Sequence, residues 1–240
     1  MQLQEIRILD KPVHLCSMGQ ALEYLDQGIR TGTKQFIIAQ NPEKIMKELK
    51  DEELSSIIEN KATLLIADGV GLVYAGRILG LPHISRVTGV GLFEELLKVA
   101  NRDRKKVFLY GCKLKTIEKA EEIIKARYSN LELVGVQDGY EKDVNKVIEK
   151  IQAARPDYLF VALGSPGQEK WISRHIDQLP VQLVMGVGGS FDVLTGEVKR
   201  APSWMQKLGI EWLYRLIKQP SRITRMTNLP KFLWQVVKSR

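Results

Sequence analysis

Six short runs of this sequence have the make-up of strands: residues 35–39, 63–67, 107–111, 132–136, 158–163 and 182–187, several of them apolar at nearly every position. A strand with one face in water alternates apolar and polar side chains, so an unbroken apolar run requires cover on both faces. That favours a parallel sheet between two layers of helices. The spacers are helical in period and carry start signals: Asn41-Pro42 opens one, Thr88 or Gly89 can cap residues 92–100, and Asp143 precedes residues 144–154. Repeated β-α-β units predict an α/β fold, a Rossmann-like open parallel sheet of about six strands with helices on both faces. The first dozen residues, with Ile6, Ile8 and Val13, fit a small peripheral hairpin.

Charge divides the chain in two. Residues 199–240 hold ten basic residues against one acid, Glu211, an excess of +9, whereas residues 1–198 sum to −1 within the net +8 of the 240-residue chain. The same tail holds three of the four tryptophans, Trp204, Trp212 and Trp234. The expected organisation is therefore an α/β body over residues 1–198 and a basic, amphipathic helical appendage over residues 199–240. No internal repeat or long polar linker suggests a further domain. The apolar runs are of strand length, far short of the roughly 20 residues of a membrane-spanning helix. The N-terminus lacks the apolar segment of a signal peptide, so a cytoplasmic chain is expected. Cys16 and Cys112 read as buried thiols, since a core of this size needs no disulfide.

Ligands of open α/β sheets bind beyond the carboxyl ends of the strands. Four of the six ends are polar and rich in glycine: Ala39-Gln40-Asn41-Pro42, Ala67-Asp68-Gly69-Val70-Gly71, Gly164-Ser165-Pro166-Gly167-Gln168-Glu169, and Gly186-Val187-Gly188-Gly189-Ser190-Phe191-Asp192. The last two turns have the make-up of an anion cradle, suited to a diphosphate, though glycine after a strand also serves simple tight turns. No Gly-Lys-Ser/Thr follows and there is no full dinucleotide fingerprint, which weakens ATPase and dehydrogenase readings. Asp68, after an apolar strand and before Gly69, is either a partly desolvated general base or the cap of a helix starting near Val70. Arg86, which follows a Gly80-Leu81-Pro82 turn, reads by itself as an ordinary surface cation. The three histidines are scattered and no two of the ten aspartates stand two apart. A metal site of the Asp-x-Asp kind is thus excluded, and cationic side chains would replace it.

The tail can supply them. Arg215, Lys218, Arg222 and Arg225 follow helical spacing, interrupted by Pro220, among Trp and Leu residues. Such an element suits an anionic membrane surface, a helix packed on the body with a solvated basic face, or a nucleic-acid footprint. Charge alone leaves all three open.

Over residues 36–232 the chain resembles the WecG/TagA/CpsF glycosyltransferases, which extend glycans on a polyprenyl-diphosphate carrier. The resemblance is carried by the four strand-end turns, by Arg86-Val87-Thr88-Gly89, by Lys199-Arg200-Ala201-Pro202, and by Glu211-Trp212-Leu213-Tyr214-Arg215 through Pro220-Ser221-Arg222. It implies an inverting, metal-independent transferase without cofactor, with Asp68 as base for the acceptor hydroxyl and Arg86 and Gln168 beside it as catalytic residues. Arg215, Arg222 and Arg225 are implied to face the diphosphate and the lipid. Donor and acceptor contacts are expected at Gln40, Asn41, Gly69 and Tyr140, and along the two glycine turns at Gly164, Glu169, Gly188, Gly189 and Asp192. The implied appendage completes the active site at the inner face of the plasma membrane.

The expected reaction moves an N-acetylhexosamine, foremost N-acetylmannosamine, from UDP to the 4-hydroxyl of N-acetylglucosamine on undecaprenyl diphosphate, in teichoic-acid or surface-polysaccharide synthesis. Glucose or N-acetylmannosaminuronic acid are alternative donor sugars, because Gln40 and Gly167 depart from the family pattern in the presumed donor pocket. Outside this class stand a nucleic-acid-binding α/β protein and a membrane scaffold with a dead site. The partners expected are the UDP-sugar, the polyprenyl-diphosphate acceptor and an anionic membrane surface, with no nucleic acid; a homo-oligomer is compatible with the sequence.

Overall fold

The computed structural model describes residues 1–199, 201–202, 205, 214 and 228–240. Eight strands and ten α-helices are traced among them. A hairpin of β1 (Gln4–Ile8) and β2 (Lys11–Leu15) comes first, turned by Leu9 and Asp10, both with positive φ. The helix α1 (Met18–Arg30) follows, started by a reciprocal cap between Ser17 and Gln20. Then come β3 (Gln35–Gln40), α2 (Pro42–Glu48), α3 (Glu52–Asn60), β4 (Leu64–Ala67), α4 (Val70–Ile78) and α5 (Gly89–Arg102). The second half runs β5 (Lys106–Gly111), α6 (Leu114–Arg127), β6 (Glu132–Gln137), α7 (Val144–Ala154), β7 (Tyr158–Ala162), α8 (Gly167–His175), β8 (Leu183–Gly186) and α9 (Ser190–Leu194). The last helix is α10 (Asn228–Lys238).

Strands β3 to β8 form one six-stranded sheet in the order β4-β3-β8-β7-β5-β6, every neighbouring pair parallel. The six apolar runs are these six strands. Burial explains their composition: β4, β7 and β8 are buried at every position, because helices cover both faces. One face packs Leu25 of α1, Leu92, Phe93 and Leu96 of α5, and Ile117 and Ile124 of α6. The other packs Leu54 and Ile58 of α3, Val147 and Ile151 of α7, and Trp171 and Ile172 of α8.

A third cluster joins the hairpin, α2, α4 and α10. Phe232 and Val236 of α10 are fully buried there against Ile45, Leu72 and Ala75. The end of the appendage is thus a helix seated on the body, while Trp234 on the same helix is exposed, with Lys238 Nζ 5.2 Å above its ring. Arg200, Trp204, Trp212, Arg215, Lys218, Arg222 and Arg225 lie outside the described residues. No helix among the described residues is long and apolar enough to cross a membrane.

Chain order places the site. From β3 the chain steps outward to β4, crosses to β5 and β6, and returns through β7 to β8, which lands beside β3. Connections diverge at this switch point, leaving a crevice over the carboxyl ends.

Candidate active site

A cleft of about 830 Å³ opens over the carboxyl ends of β3, β4, β5, β7 and β8. That volume lies in the range of sites for nucleotide-sized ligands. Ala39 and Asn41 enter from β3, Asp68 and Gly69 from β4, Gly164, Ser165 and Gln168 from β7 and α8, and Gly186, Gly188 and Gly189 from β8. The end of β5 adds Cys112 and Lys113, a fifth strand end beyond the four singled out from sequence.

Asp68 begins where β4 stops. Its N–H donates to Gln40 O at 2.7 Å, and Gly69 follows with φ 99°, a left-handed conformation that turns the chain out of the strand at no steric cost. The carboxylate does not cap α4, whose N-terminus at Gly69 has no side-chain cap. Instead Oδ2 accepts from the N–H of Gly89 at 3.1 Å, the first residue of α5. Thr88 caps that helix by accepting from Gly91 N, and Val87 N–H donates to Ala67 O at 3.0 Å, tying the α4–α5 connection to β4. Arg86, one residue earlier, is half-buried and lines the cleft, so it is not an ordinary surface cation.

Helix α2 supplies two further cations. Asn41 caps it by accepting from Lys44 N at 2.9 Å, with Pro42 as the first helical residue, and this sets Lys44 and Lys47 one turn apart on the cleft wall. Lys47 Nζ donates to Ser165 O and pairs with Glu43, each at 3.0 Å. Lys44 is buried and pairs with Glu169 at 2.6 Å. The far end of the cleft is acidic. Asp192 and Glu197 line it, and Thr116 Oγ1 donates to the Glu197 carboxylate at 3.1 Å. Cys112 registers that polarity: burial, reinforced by the charges of Asp192, Glu197 and Asp138, pushes its thiol up to about 12. Cys112 is half-buried at the cleft, not a core thiol, whereas Cys16 is buried as expected. Tyr140 stands at the rim, 68% exposed, on a turn held by its N–H to Asp138 Oδ1. Among the described residues no three His, Cys, Asp or Glu side chains converge as metal ligands.

Comparison over the whole chain shows its family. The family model described as "Glycosyl transferase WecG/TagA/CpsF family" matches residues 6–240. The chain belongs to this family. It is therefore a glycosyl transferase. Three curated relatives carry the name N-acetylglucosaminyldiphosphoundecaprenol N-acetyl-beta-D-mannosaminyltransferase. That of Bacillus subtilis (strain 168) is 40% identical over 215 residues, 90% of this chain and 82% of the relative. That of Bacillus spizizenii is 38% identical over 241 residues, covering 99% and 92%. That of Staphylococcus aureus (strain MW2) is 36% identical over 205 residues, covering 85% and 80%.

Within this WecG-family cleft the structure brings together Asp68, Arg86, Gln168, Asn41, Gly69, Tyr140, Gly164, Gly188, Gly189 and Asp192. Gln40 is not among the lining residues, a correction to the expectation that it shapes the donor pocket. Its side chain is fully buried on the opposite side of β3 and donates through Nε2 to Glu48 Oε1 at 2.7 Å. Strand alternation is the reason: Ala39 and Asn41 share the cleft face, and Gln40 between them takes the other. Gly167 and Glu169 likewise lie outside the lining, Glu169 behind Gln168 and Lys44. Arg215, Arg222 and Arg225 are outside the described residues. Lys44, Lys47, Lys113 and Glu197 were missed from sequence. A scan of every strand end would have found Lys113, and the one-turn spacing after the Asn41 cap would have found the α2 pair.

Proposed function

We propose that this transferase moves N-acetylmannosamine from a UDP donor to the 4-hydroxyl of N-acetylglucosamine on undecaprenyl diphosphate, with inversion at the anomeric carbon. One observation carries the reading: a carboxylate, Asp68, sits in a cleft that carries Lys47 and Arg86 on its wall and Asp192 and Glu197 at its far end. The polarity suits a nucleotide sugar, with the diphosphate on the cationic side and the hydroxyls of the ribose donating to the carboxylates. The relatives' names supply the acceptor and the sugar.

Asp68 takes the proton of the acceptor hydroxyl as its oxygen bonds to the anomeric carbon and the bond to the UDP oxygen breaks. The negative charge gathers on the departing diphosphate, where Arg86 and Lys47 oppose it, joined in this reading by Arg215, Arg222 and Arg225 of the tail. Attack opposite the leaving group turns an α-linked nucleotide sugar into a β-glycoside, the anomer in the relatives' names. Gln168, Asn41, Gly69, Gly164, Gly188 and Gly189 contact donor or acceptor through amides and close backbone, and Tyr140 offers an exposed ring at the rim. Asp192 completes the donor contacts. The tail meets the anionic inner face of the plasma membrane, where the lipid acceptor resides.

The test is a panel of UDP-sugars offered to the full chain with a short-chain lipid-diphosphate N-acetylglucosamine acceptor. UDP-N-acetylmannosamine should yield one disaccharide product, β-linked to the 4-position by NMR. Turnover of none of the panel, or a product with retained configuration, overturns the reading. Preference for UDP-glucose or the uronic acid donor would keep the reaction and replace the sugar.

A further inference from the structure

The ion pair of Lys44 and Glu169 is the most deeply buried in the described chain, with side chains 5% and 1% exposed. Burying two charges is expensive, and apolar residues of similar volume would often hold a fold as well. What the pair touches gives the reason for keeping it. Glu169 Oε1, the atom that receives Lys44 Nζ, also accepts from Gln168 Nε2 at 3.0 Å. Gln168 Oε1 in turn accepts from the N–H of Gly188 at 3.0 Å. Gln168 is 3% exposed yet lines the cleft, and Gly188 belongs to the turn after β8. The fit is tight: a Cβ at Gly186 would stand 2.5 Å from Gln168 Nε2, so only glycine admits the amide across the end of β8.

We propose that Glu169 and Lys44 are positioning residues for the donor site, acting through Gln168 on the Gly188 turn; this rests on the transferase reading above. A carboxamide can rotate by half a turn and exchange its oxygen and nitrogen. In the reversed state nitrogen would face the N–H of Gly188 and oxygen would face the Glu169 carboxylate, so both hydrogen bonds become repulsive contacts. The carboxylate therefore selects one state of the amide. Lys44 keeps it a carboxylate: burial pushes the Glu169 carboxyl up, but the Lys44 charge and the hydrogen bonds from Lys44 and Gln168 outweigh burial and hold it below its ordinary range. Lys44 is thus committed to Glu169. Turning it toward a ligand would strand a buried charge, so it is not one of the cations that follow the diphosphate.

The test compares Glu169→Gln, Lys44→Met and the double variant in the full chain, by urea unfolding, donor turnover and the side-chain amide NMR signals of Gln168, assigned by their loss in Gln168→Leu. Each single variant strands or removes a charge and should lower stability, and the double variant should recover much of it. Turnover should not follow. Loss of one charge-assisted hydrogen bond that orders the amide predicts a fall of about 10–100-fold in kcat/KM, retained in the double variant. The Gln168 signals should be single and slowly exchanging in the parent, and averaged or split in the double variant. If turnover recovers with stability, or the Gln168 signals are unchanged in the double variant, the pair only holds the fold and the proposal fails. The NMR arm needs no substrate, and a parent chain inactive on every UDP-sugar would instead count against the function.

Discussion

Replacing Glu48 by Gln should stabilise this enzyme above neutral pH and do little in mild acid. Glu48 closes α2 and is 2% exposed, with its Oε1 receiving Gln40 Nε2 at 2.7 Å. Its Oε2 and the Gln40 amide oxygen are both buried without a hydrogen-bond partner. Two adjacent orphaned acceptors are costly, and one proton resolves both, because a protonated Oε2 becomes a donor toward the amide oxygen. The electrostatics agree: burial pushes the carboxyl up to about 7, against the Gln40 hydrogen bond and the charges of Lys11 on β2 and Lys44 on α2, with Glu59 on α3 adding to the rise. Between the ordinary value of 4.5 and about 7, the folded chain holds a proton that the unfolded chain has released. Stability from this group therefore falls as pH rises through that window and is level above it, a loss of about 3 kcal/mol when complete. The Glu48→Gln side chain offers the same donor and acceptor as the neutral acid at every pH. Urea unfolding should give near-equal stabilities for parent and variant at pH 5, with the variant ahead by up to about 3 kcal/mol at pH 8. A stability difference that is the same at both pH values would show that Glu48 does not carry the proton and would refute the argument.

Asp68→Asn keeps an acceptor for the Gly89 N–H but removes the base, so turnover should drop about 10²–10⁴-fold while circular dichroism and melting stay near those of the parent; near-normal turnover in a chemistry-limited assay would leave Asp68 only a cap for α5. EDTA should leave activity unchanged, because arginine and lysine oppose the diphosphate; strict dependence on added Mg²⁺ or Mn²⁺ would count against that scheme. Phe232→Ala removes a fully buried ring from the third core cluster and should cost about 3–5 kcal/mol in chemical unfolding, whereas a near-zero change would mean that α10 is not docked on the body in solution. Arg215→Ala and Arg222→Ala should each depress kcat with a soluble acceptor that needs no membrane, while Lys231→Ala should weaken binding to anionic vesicles and spare that soluble reaction; similar behaviour of all three in the soluble assay would reduce the arginines to surface charge.

The strands were legible because their composition records a two-sided environment. Helix starts at Asn41, Thr88 and Asp143 were legible because capping is local, decided by a side chain and the N–H groups two or three residues on. Asp68 shows where local reading stops. Sequence offered a cap for the adjacent helix or a base in a cleft, and the observed partner is the N–H of Gly89 on another helix, brought in by the α4–α5 connection. Glu48 and Glu169 show the same limit for burial: the first reads as an ordinary helical carboxylate and the second as a ligand contact, and only packing reveals that one sits against an amide and the other against a lysine. The direction of Gln40 was available from strand period alone, since its neighbours on either side face the cleft.

Charge in this cleft divides by what it would cost to move. Lys44 is held by a buried carboxylate that has no other charged partner within reach in the described fold, so its charge belongs to the scaffold. Lys47 makes its pair with Glu43 near the surface, and exposed pairs of this kind are worth only about 0–1 kcal/mol, so the approach of a diphosphate can redirect it. Lys113 is exposed on the cleft. The proposed transfer, in which cations and not a metal oppose the leaving diphosphate, needs several such redirectable charges, of which Lys47 and Lys113 are two on the described cleft. In the proposed reading the remaining cations are Arg215, Arg222 and Arg225, from a tail whose charge excess is +9.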